Sequence, residues 1–474
     1  MTPQIISEIK MWQREDHPAR LWHPLEDGVV QCRLSPRQCV LKEGQHGFCG
    51  VRKNIGGELR TLNYGKSVHA TQEFIETEAI FHFAPGAKIL SMGNLGCMMN
   101  CDYCHNWRTS QAKHVQDKDV HTYTPESVVR MCLEKNIPII SWTYNDPVVW
   151  QEFVVDTAKL ARQHGILNLY KSAFYISREA VDELIEHMDV FSLSLKSMDP
   201  DFYRRLTKGT LPPVLDAIKA VSRSGRHLEL SNLMVTDAND TAEDAQRVAD
   251  WVLENCSADT PLHFVRFHPD YKYTRVTRTP LERLARAREV ALSRGLRYVY
   301  LGNVFDQPGV HTYCPRCNAR VVARYGMNTR LEGVTPEGRC TACAFPIPFS
   351  ALPVSLKVRT SGGFPAPADL QVFEHVWSGD IVSFHVQAQN TGPRATAVMI
   401  TRRFASPSAP ALVEQVPLNP GESFRFVVSR SDPSEQAAIV HGDAGVRIRL
   451  LDHLDRAHFP TEITEDGGLC HDSE

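Results

Sequence analysis

The sequence predicts an α/β protein: a parallel sheet with helices outside it, curled into a full or partial β/α barrel, followed by an all-β sandwich. Three observations support this. Strand and helix signals alternate through residues 86–305, the pattern of repeated β-α units. From about residue 350 helical periodicity gives way to short alternating strands. Most of the 13 cysteines fall in clusters before, within and after the alternating region. A chain of 474 residues has room for several domains. The expected division is 1–85, a cysteine-containing N-terminal extension; 86–305, the barrel; 306–350, a four-cysteine element; and 351–474, the sandwich.

The barrel elements follow in order. KILSM, near 88–92, is a strand running into a glycine-rich loop. Thr124-Pro125-Glu126 opens a helix with a threonine cap and proline at the first helical position. IPIISW is a buried parallel strand leading to TYNDP, and the next helix ends near Gly165. Strand ILNLY, a helix capped by Ser177, strand VFSLSL and the helix LPPVLDAIKAV, stopped at Gly225, come next. After strand HLELSNLMV, Thr241 caps a helix with Val248, Trp251 and Val252 on one face. PLHFVRF is the sixth strand. Thr279-Pro280-Leu281-Glu282 reads as a capping box on a proline start, Gly295 closes that helix, and RYVYL follows. In the C-terminal region Val382, Phe384 and Val386 share a face, as do Phe424, Phe426 and Val428, and Val446, Ile448 and Leu450. Ser378-Gly379-Asp380, Asn390-Thr391-Gly392-Pro393 and Asn419-Pro420-Gly421 are turn signals between them. No catalytic motif stands out there, and the region reads as a packing or docking module.

Composition narrows the class. A formal net charge of −3 implies no field for nucleic acid or an anionic membrane. No apolar run approaches the ~20 residues of a membrane span. MTPQIISEIKMWQRED carries charges where a signal peptide would be apolar, so a cytoplasmic protein is expected. Cysteines in that compartment point to metal ligation rather than disulfides. Cys132 and Cys256 lie in helical patterns and read as packing residues; Cys470 stands alone.

The chemistry concentrates in LGCMMNCDYCHNW. Cys97, Cys101 and Cys104 form C-x3-C-x2-C. Three thiolates can hold three irons of a [4Fe-4S] cluster and leave the fourth iron open for the amino and carboxylate groups of S-adenosylmethionine (SAM). A structural zinc site is the competing reading, but it wants four ligands, and only His105 follows nearby. Tyr103 supplies an aromatic residue just before the last cysteine, usual in radical-SAM proteins. Polar residues after the strands are the other candidates, because active sites of such folds lie at the strands' C-terminal ends. Cys314-Pro-Arg-Cys317 and Cys340-Thr-Ala-Cys343 have the spacing of a zinc-ribbon-like site. A second iron–sulfur cluster, a rubredoxin-like iron and four unrelated thiols are the alternatives.

CVLKEGQHGFCGVRKN, LNYGK, FHFAPG, LSMGNLGC, CDYCHNW, TYNDP, KSMDPDFYRRLTKG, PLHFVRFHPDYKY, RYVYLGNV and the CPRC…CTAC tail carry a resemblance. Residues from about 30 to 350 resemble the radical-SAM component of the AmmeMemoRadiSam system, related to activating enzymes of glycyl-radical proteins. The resemblance implies that Asn145 and Asp146 hold the SAM amino group and that Lys196, as a catalytic residue, points into the barrel mouth. It also implies SAM contacts from Ser172, Asn232, Asn239, Asp240, Arg266 and His268. This chain departs from the family at Ser35, where a second N-terminal cysteine is usual, at Ser172-Ala173 in place of Asn-Gly, and at Ser194 in place of aspartate. Cys32, Cys39 and Cys49 are then candidate metal ligands only if His46 or a serine completes the set; otherwise they are reduced packing residues. The expected activity is reductive cleavage of SAM to a 5′-deoxyadenosyl radical, with an electron donor such as flavodoxin or ferredoxin and an unidentified substrate. Transfer of a 3-amino-3-carboxypropyl group after cleavage of another S–C bond is the alternative within the class. A zinc-binding interaction scaffold is the alternative outside it.

Overall fold

The computed structural model describes residues 10–304, 308–326, 328–352, 370–376, 383–404, 412–430, 435–443 and 445–451. Strand β1 (Lys66–Phe74) runs antiparallel to β2 (Lys88–Asn94). From β2 the sheet continues in chain order through parallel strands β3 (Ile139–Thr143), β4 (Leu167–Ser172), β5 (Val190–Ser194), β6 (His227–Met234), β7 (Leu262–Arg266) and β8 (Val299–Gly302). Among the described residues β8 is an edge strand, so the barrel is partial.

Helices α1 (Pro125–Glu134), α2 (Gln151–Gln163), α3 (Arg178–His187), α4 (Leu211–Arg223), α5 (Ala242–Asn255) and α6 (Leu281–Arg294) connect the strands. Their starts follow local chemistry. Thr124 and Ser127 form a reciprocal cap on α1, as Thr241 and Asp244 do on α5, and the Ser177 hydroxyl accepts from Ala180 N–H on α3. Val248, Trp251 and Val252 are all buried on one face of α5. The capping box expected at Thr279–Glu282 does not form. Pro280 is the N-cap of α6 and offers no side-chain acceptor. The Thr279 hydroxyl donates instead to Met234 O and accepts from Phe267 N–H, fastening β6 to the chain after β7. A buried tertiary partner won over the local one.

Side chains alternate across the strands, so the interior is layered. The lowest layer is apolar: Ile89, Ile139, Leu169 and Val190 pack with Ile75, Ile80 and Phe83 of the segment joining β1 to β2. The next layer is polar, with Ser91, Ser141, Lys171, Ser192, Glu229 and His263 on successive strands. Two buried carboxylates tie the joining segment into this layer. Glu78 accepts from Ser141 Oγ (2.8 Å) and Thr143 Oγ1 (2.8 Å). Glu229 accepts from Phe81 N–H (2.9 Å), His82 N–H (2.7 Å), His227 Nε2 (3.0 Å) and His263 Nε2 (2.7 Å). Burial alone would raise the Glu229 carboxyl, but these donors hold it well below the usual carboxylate range. The floor of the barrel is therefore braced.

Hairpin β9 (Arg320–Tyr325) and β10 (Asn328–Leu331) belongs to the four-cysteine element. The C-terminal region holds β11 (Leu370–Val376), β12 (Ser383–Asn390), β13 (Thr396–Phe404), β14 (Leu412–Leu418), β15 (Ser423–Ser429), β16 (Glu435–Asp443) and β17 (Val446–Leu451). One sheet has the order β11-β16-β13-β14. The other, β15-β12-β17, continues the barrel sheet, because β15 pairs in parallel with β1 at Arg425↔Thr71 and Phe426↔Gln72. Phe384, Val386, Phe424, Phe426, Val428, Val446 and Leu450 are buried, as the alternation predicts; Val382 and Ser378–Asp380 lie outside the described residues. Lys135 at the end of α1 reinforces the junction, with Nζ 2.8 Å from Glu422, donating to Pro417 O (2.6 Å) and lying over the Phe424 ring. Among the described residues no helix is long and apolar enough to cross a membrane.

Replacing Glu229 with leucine leaves two backbone donors and two imidazoles without their acceptor. We expect a loss of about 3–5 kcal/mol, read as a lower denaturant midpoint; Glu229→Gln, which keeps two acceptor sites, should lose less.

Candidate active site

The cysteine loop leaves β2 through Gly96, whose φ of +84° and close neighbours leave no room for a side chain: a Cβ there would lie 2.8 Å from Cys49 O. The loop is then held by backbone contacts from three other segments. Asn100 N–H donates to Thr207 O and Asp102 N–H to Leu206 O, both in the short helical segment after β5. Arg37 Nε donates to Met98 O at 2.6 Å, and Lys272 N–H donates to Asp102 O. Within the loop Met99 N–H points at Cys97 Sγ (3.3 Å), and Cys104 Sγ lies 3.4 Å from Ser110 Oγ. Burial pushes the Cys97 and Cys104 thiols up and the Cys101 thiol up to about 11, so anionic sulfur at all three needs a cation in the site.

Cys97, Cys101 and Cys104 line one cavity of 490 Å³ with Asn145, Asp146, Ser172, Ser194, Lys196 and Ser231. Three thiols on one short loop around one cavity are the donor set of a cluster that leaves one iron open. Asp146 carries the clearest binding signal. Its Oδ1 accepts from Ser172 Oγ (2.7 Å) and Val148 N–H (3.3 Å), whereas its Oδ2 is buried without a hydrogen-bond partner. Burial raises this carboxyl against the Ser172, Val148 and Ala173 donors and the nearby Lys196 charge, and an ammonium placed against Oδ2 would satisfy it. The residues present thus fit a three-cysteine cluster with an amino group bound beside it.

The other expected SAM residues divide. Lys196 reaches the cavity, its Nζ 5.9 Å from the Tyr103 ring centre, while its N–H donates to Tyr203 Oη. Tyr103 is buried behind Cys101 and packs against Phe202. Asn145 is already engaged, donating to Asn94 O and accepting from Thr109 Oγ1. Asn232 Nδ2 donates to Leu195 O and Lys196 O, and Asn239 Nδ2 donates to Lys196 O, so both hold the lysine's backbone. Asp240 pairs with Arg283 (2.5 Å), and Arg266 Nε donates to Thr279 O. His268 stacks on His105 at 3.6 Å between ring centres and accepts from its Nε2 through the main-chain oxygen. Asn232, Asn239, Asp240, Arg266 and His268 do not line the cavity. Sequence reasoning missed Lys171, Glu78 and His263, which do. The signal was available: Lys171 alternates with Leu167 and Leu169 on the inward face of an otherwise buried strand.

Cys314, Cys317, Cys340 and Cys343 bring their sulfurs within 4.8 Å of one another, with 3.5 Å between Cys314 and Cys343 and 3.7 Å between Cys317 and Cys340. Four thiolates at ~2.3 Å from one zinc would sit at about this separation. The N-terminal cysteines are dispersed among protein contacts. Cys32 Sγ accepts from Arg52, which forms a buried ion pair with Glu152, and Cys49 is pushed up to about 11 by burial. Cys39 and Cys49 approach each other across Gly47, where a Cβ would lie 3.8 Å from both sulfurs.

Residues 94–252 match the Radical SAM superfamily. An uncharacterized protein of Methanocaldococcus jannaschii is 38% identical over 326 residues, covering 69% of this chain and 97% of that protein. The (2S)-3-sulfopropanediol dehydratase activating enzyme of Klebsiella oxytoca is 22% identical, covering 65% and 96%, and the pyruvate formate-lyase-activating enzyme of Clostridium pasteurianum is 22% identical, covering 36% and 72%. A cysteine triplet at the C-terminal end of the first parallel strand, an orphaned carboxylate oxygen beside it and these relatives lead to one assignment: the chain is an enzyme of the radical SAM superfamily, distantly related to the activating enzymes of glycyl-radical systems.

Proposed function

We propose that Cys97, Cys101 and Cys104 hold a [4Fe-4S] cluster, that SAM binds in the 490 Å³ cavity beside it, and that a hydrogen atom is abstracted from a substrate deeper in the barrel. The partnerless Asp146 Oδ2, buried next to the triplet, carries this reading. When bound, the cluster supplies one electron and an open iron for cleavage of SAM to methionine and a 5′-deoxyadenosyl radical. The chain's own groups do the rest. Asp146, oriented by Ser172, receives the SAM ammonium. Lys196, its backbone held by Asn232 and Asn239, presents a cation at the mouth. The buried walls keep bulk water from a reactive radical. An external reductant such as flavodoxin or ferredoxin delivers the electron. The four-cysteine tail holds zinc in a structural role.

Anaerobically reconstituted, reduced protein should form 5′-deoxyadenosine from SAM, and Cys97→Ala/Cys101→Ala/Cys104→Ala should lower the yield to background. A product spectrum with methylthioadenosine in its place would instead mark transfer of the 3-amino-3-carboxypropyl group. A colourless protein carrying zinc alone, with no SAM cleavage, would mark a scaffold.

Asp146→Asn keeps the acceptor that caps Val148 N–H but loses the charge. The lost charge-assisted bond, about 1.5–3 kcal/mol, should raise the KM for SAM roughly tenfold or more, measured by initial rates of 5′-deoxyadenosine formation.

Cys317→Ser with Cys343→Ser should remove one zinc per chain by elemental analysis while the brown chromophore of the triplet remains. Loss of the tail's metal should also lower thermal stability, because a structural zinc stabilises only the folded site.

A further inference from the structure

Barrel interiors are usually filled by branched apolar side chains. Here the layer beneath the cysteine loop is Ser91, Ser141, Lys171, Ser192, Glu229 and His263, and of these Lys171 and His263 line the cavity. Lys171 is the lysine of that layer. Its Nζ donates to Glu78 O (2.9 Å) and Ser192 Oγ (3.0 Å), which uses two of its three protons. Glu78 does not neutralise it directly, because that carboxylate is turned to Ser141 and Thr143. Glu229 is taken up by two histidines and two backbone donors. Among the described residues Lys171 forms no ion pair with a carboxylate. Burial, opposed by the Glu78 and Glu229 charges and assisted by the positive charge of Lys196, pushes the Lys171 ammonium down to about 8. Above it Ser194 Oγ and Ser231 Oγ lie 3.2 Å apart on the cavity wall. One hydroxyl proton serves that contact, and the second is available to a ligand.

Glu78 and Glu229 offset part of the positive charge from a distance, but neither carboxylate takes the third Lys171 proton, which with the spare hydroxyl proton of the Ser194–Ser231 pair leaves two donors for an anion. We propose that this polar layer binds the head group of the substrate, an oxyanion such as a carboxylate or phosphate, at Lys171 with the Ser194–Ser231 hydroxyls. The inference rests on the radical-SAM reading for what the site is used for, but not for whether it binds. It also limits the substrate's shape. The cavity of 490 Å³ must also admit the cluster and SAM, so only a narrow group reaches Lys171.

Reductive methylation with formaldehyde and cyanoborohydride, read by mass spectrometry of the Lys171 peptide, tests this on the cluster-loaded full chain without SAM turnover. Methylation of Lys171 is followed with and without propionate, inorganic phosphate or neutral propionamide. Lys171 should react with a midpoint near pH 8, below surface lysines. Propionate, phosphate or both should slow its modification severalfold while leaving surface lysines unchanged, and which of them protects identifies the oxyanion. Equal protection by propionamide, or none by either anion, overturns the proposal. Thermal stabilisation by the protecting anion should vanish in Lys171→Met. If that variant does not fold, the protection assay on the unsubstituted chain still decides. If protection holds but no 5′-deoxyadenosine forms, the anion site stands and the radical reading falls.

Discussion

The barrel's floor depends on two carboxylates buried where charge is costly. Glu78 and Glu229 carry the segment between β1 and β2 up into the sheet and fasten it to strands far away in sequence. A buried carboxylate is tolerated only when its lone pairs are met, and both are. Glu78 takes hydroxyls from two strands; Glu229 takes backbone N–H groups and imidazoles. This seal braces the lower end, below the cavity that the strand ends and the cysteine loop line.

The same economy runs through the upper end. The cysteine loop has few hydrogen bonds of its own, and its backbone is satisfied by the short helical segment after β5, by Lys272 N–H and by Arg37. Arg37 also stacks on Phe48, so the N-terminal extension acts as a brace for the loop. The Lys196 backbone is held in turn by Asn232 on the next strand and Asn239 just after it. A redox site gains from such rigidity, because groups already oriented need not reorganise when charge changes. The C-terminal sandwich adds strands to the free edge of β1 and so protects a strand that would otherwise offer unpaired backbone groups.

Much of this was legible in the sequence because it is local. The strands and helices of the barrel, the caps at Thr124, Ser177 and Thr241 and the alternation of the β domain follow from period, cap chemistry and turn residues. The cysteine triplet and the two C-x2-C pairs are short-range patterns whose spacing carries their geometry. Thr279 misled because its hydroxyl had two possible partners, and the choice between Glu282 and Met234 O depends on how β6 packs near it. Asn232, Asn239, Asp240, Arg266 and His268 sit at strand ends, as a ligand would require, yet they turn to the chain itself. Position after a strand does not fix the direction of a side chain.

The sequence by itself determined the superfamily and the fold class, since three thiols in eight residues and repeated β-α units need no distant information to be recognised. Only the tertiary structure decided which polar groups face the cavity. It set Asp146 Oδ2 beside the triplet without a partner, drew Lys171, Glu78 and His263 into one layer, and joined the β domain to the barrel through β15 and β1. The reason is physical. Propensity and periodicity act over one turn or one strand, whereas the satisfaction of buried charges is settled between strands that the chain brings together only on folding.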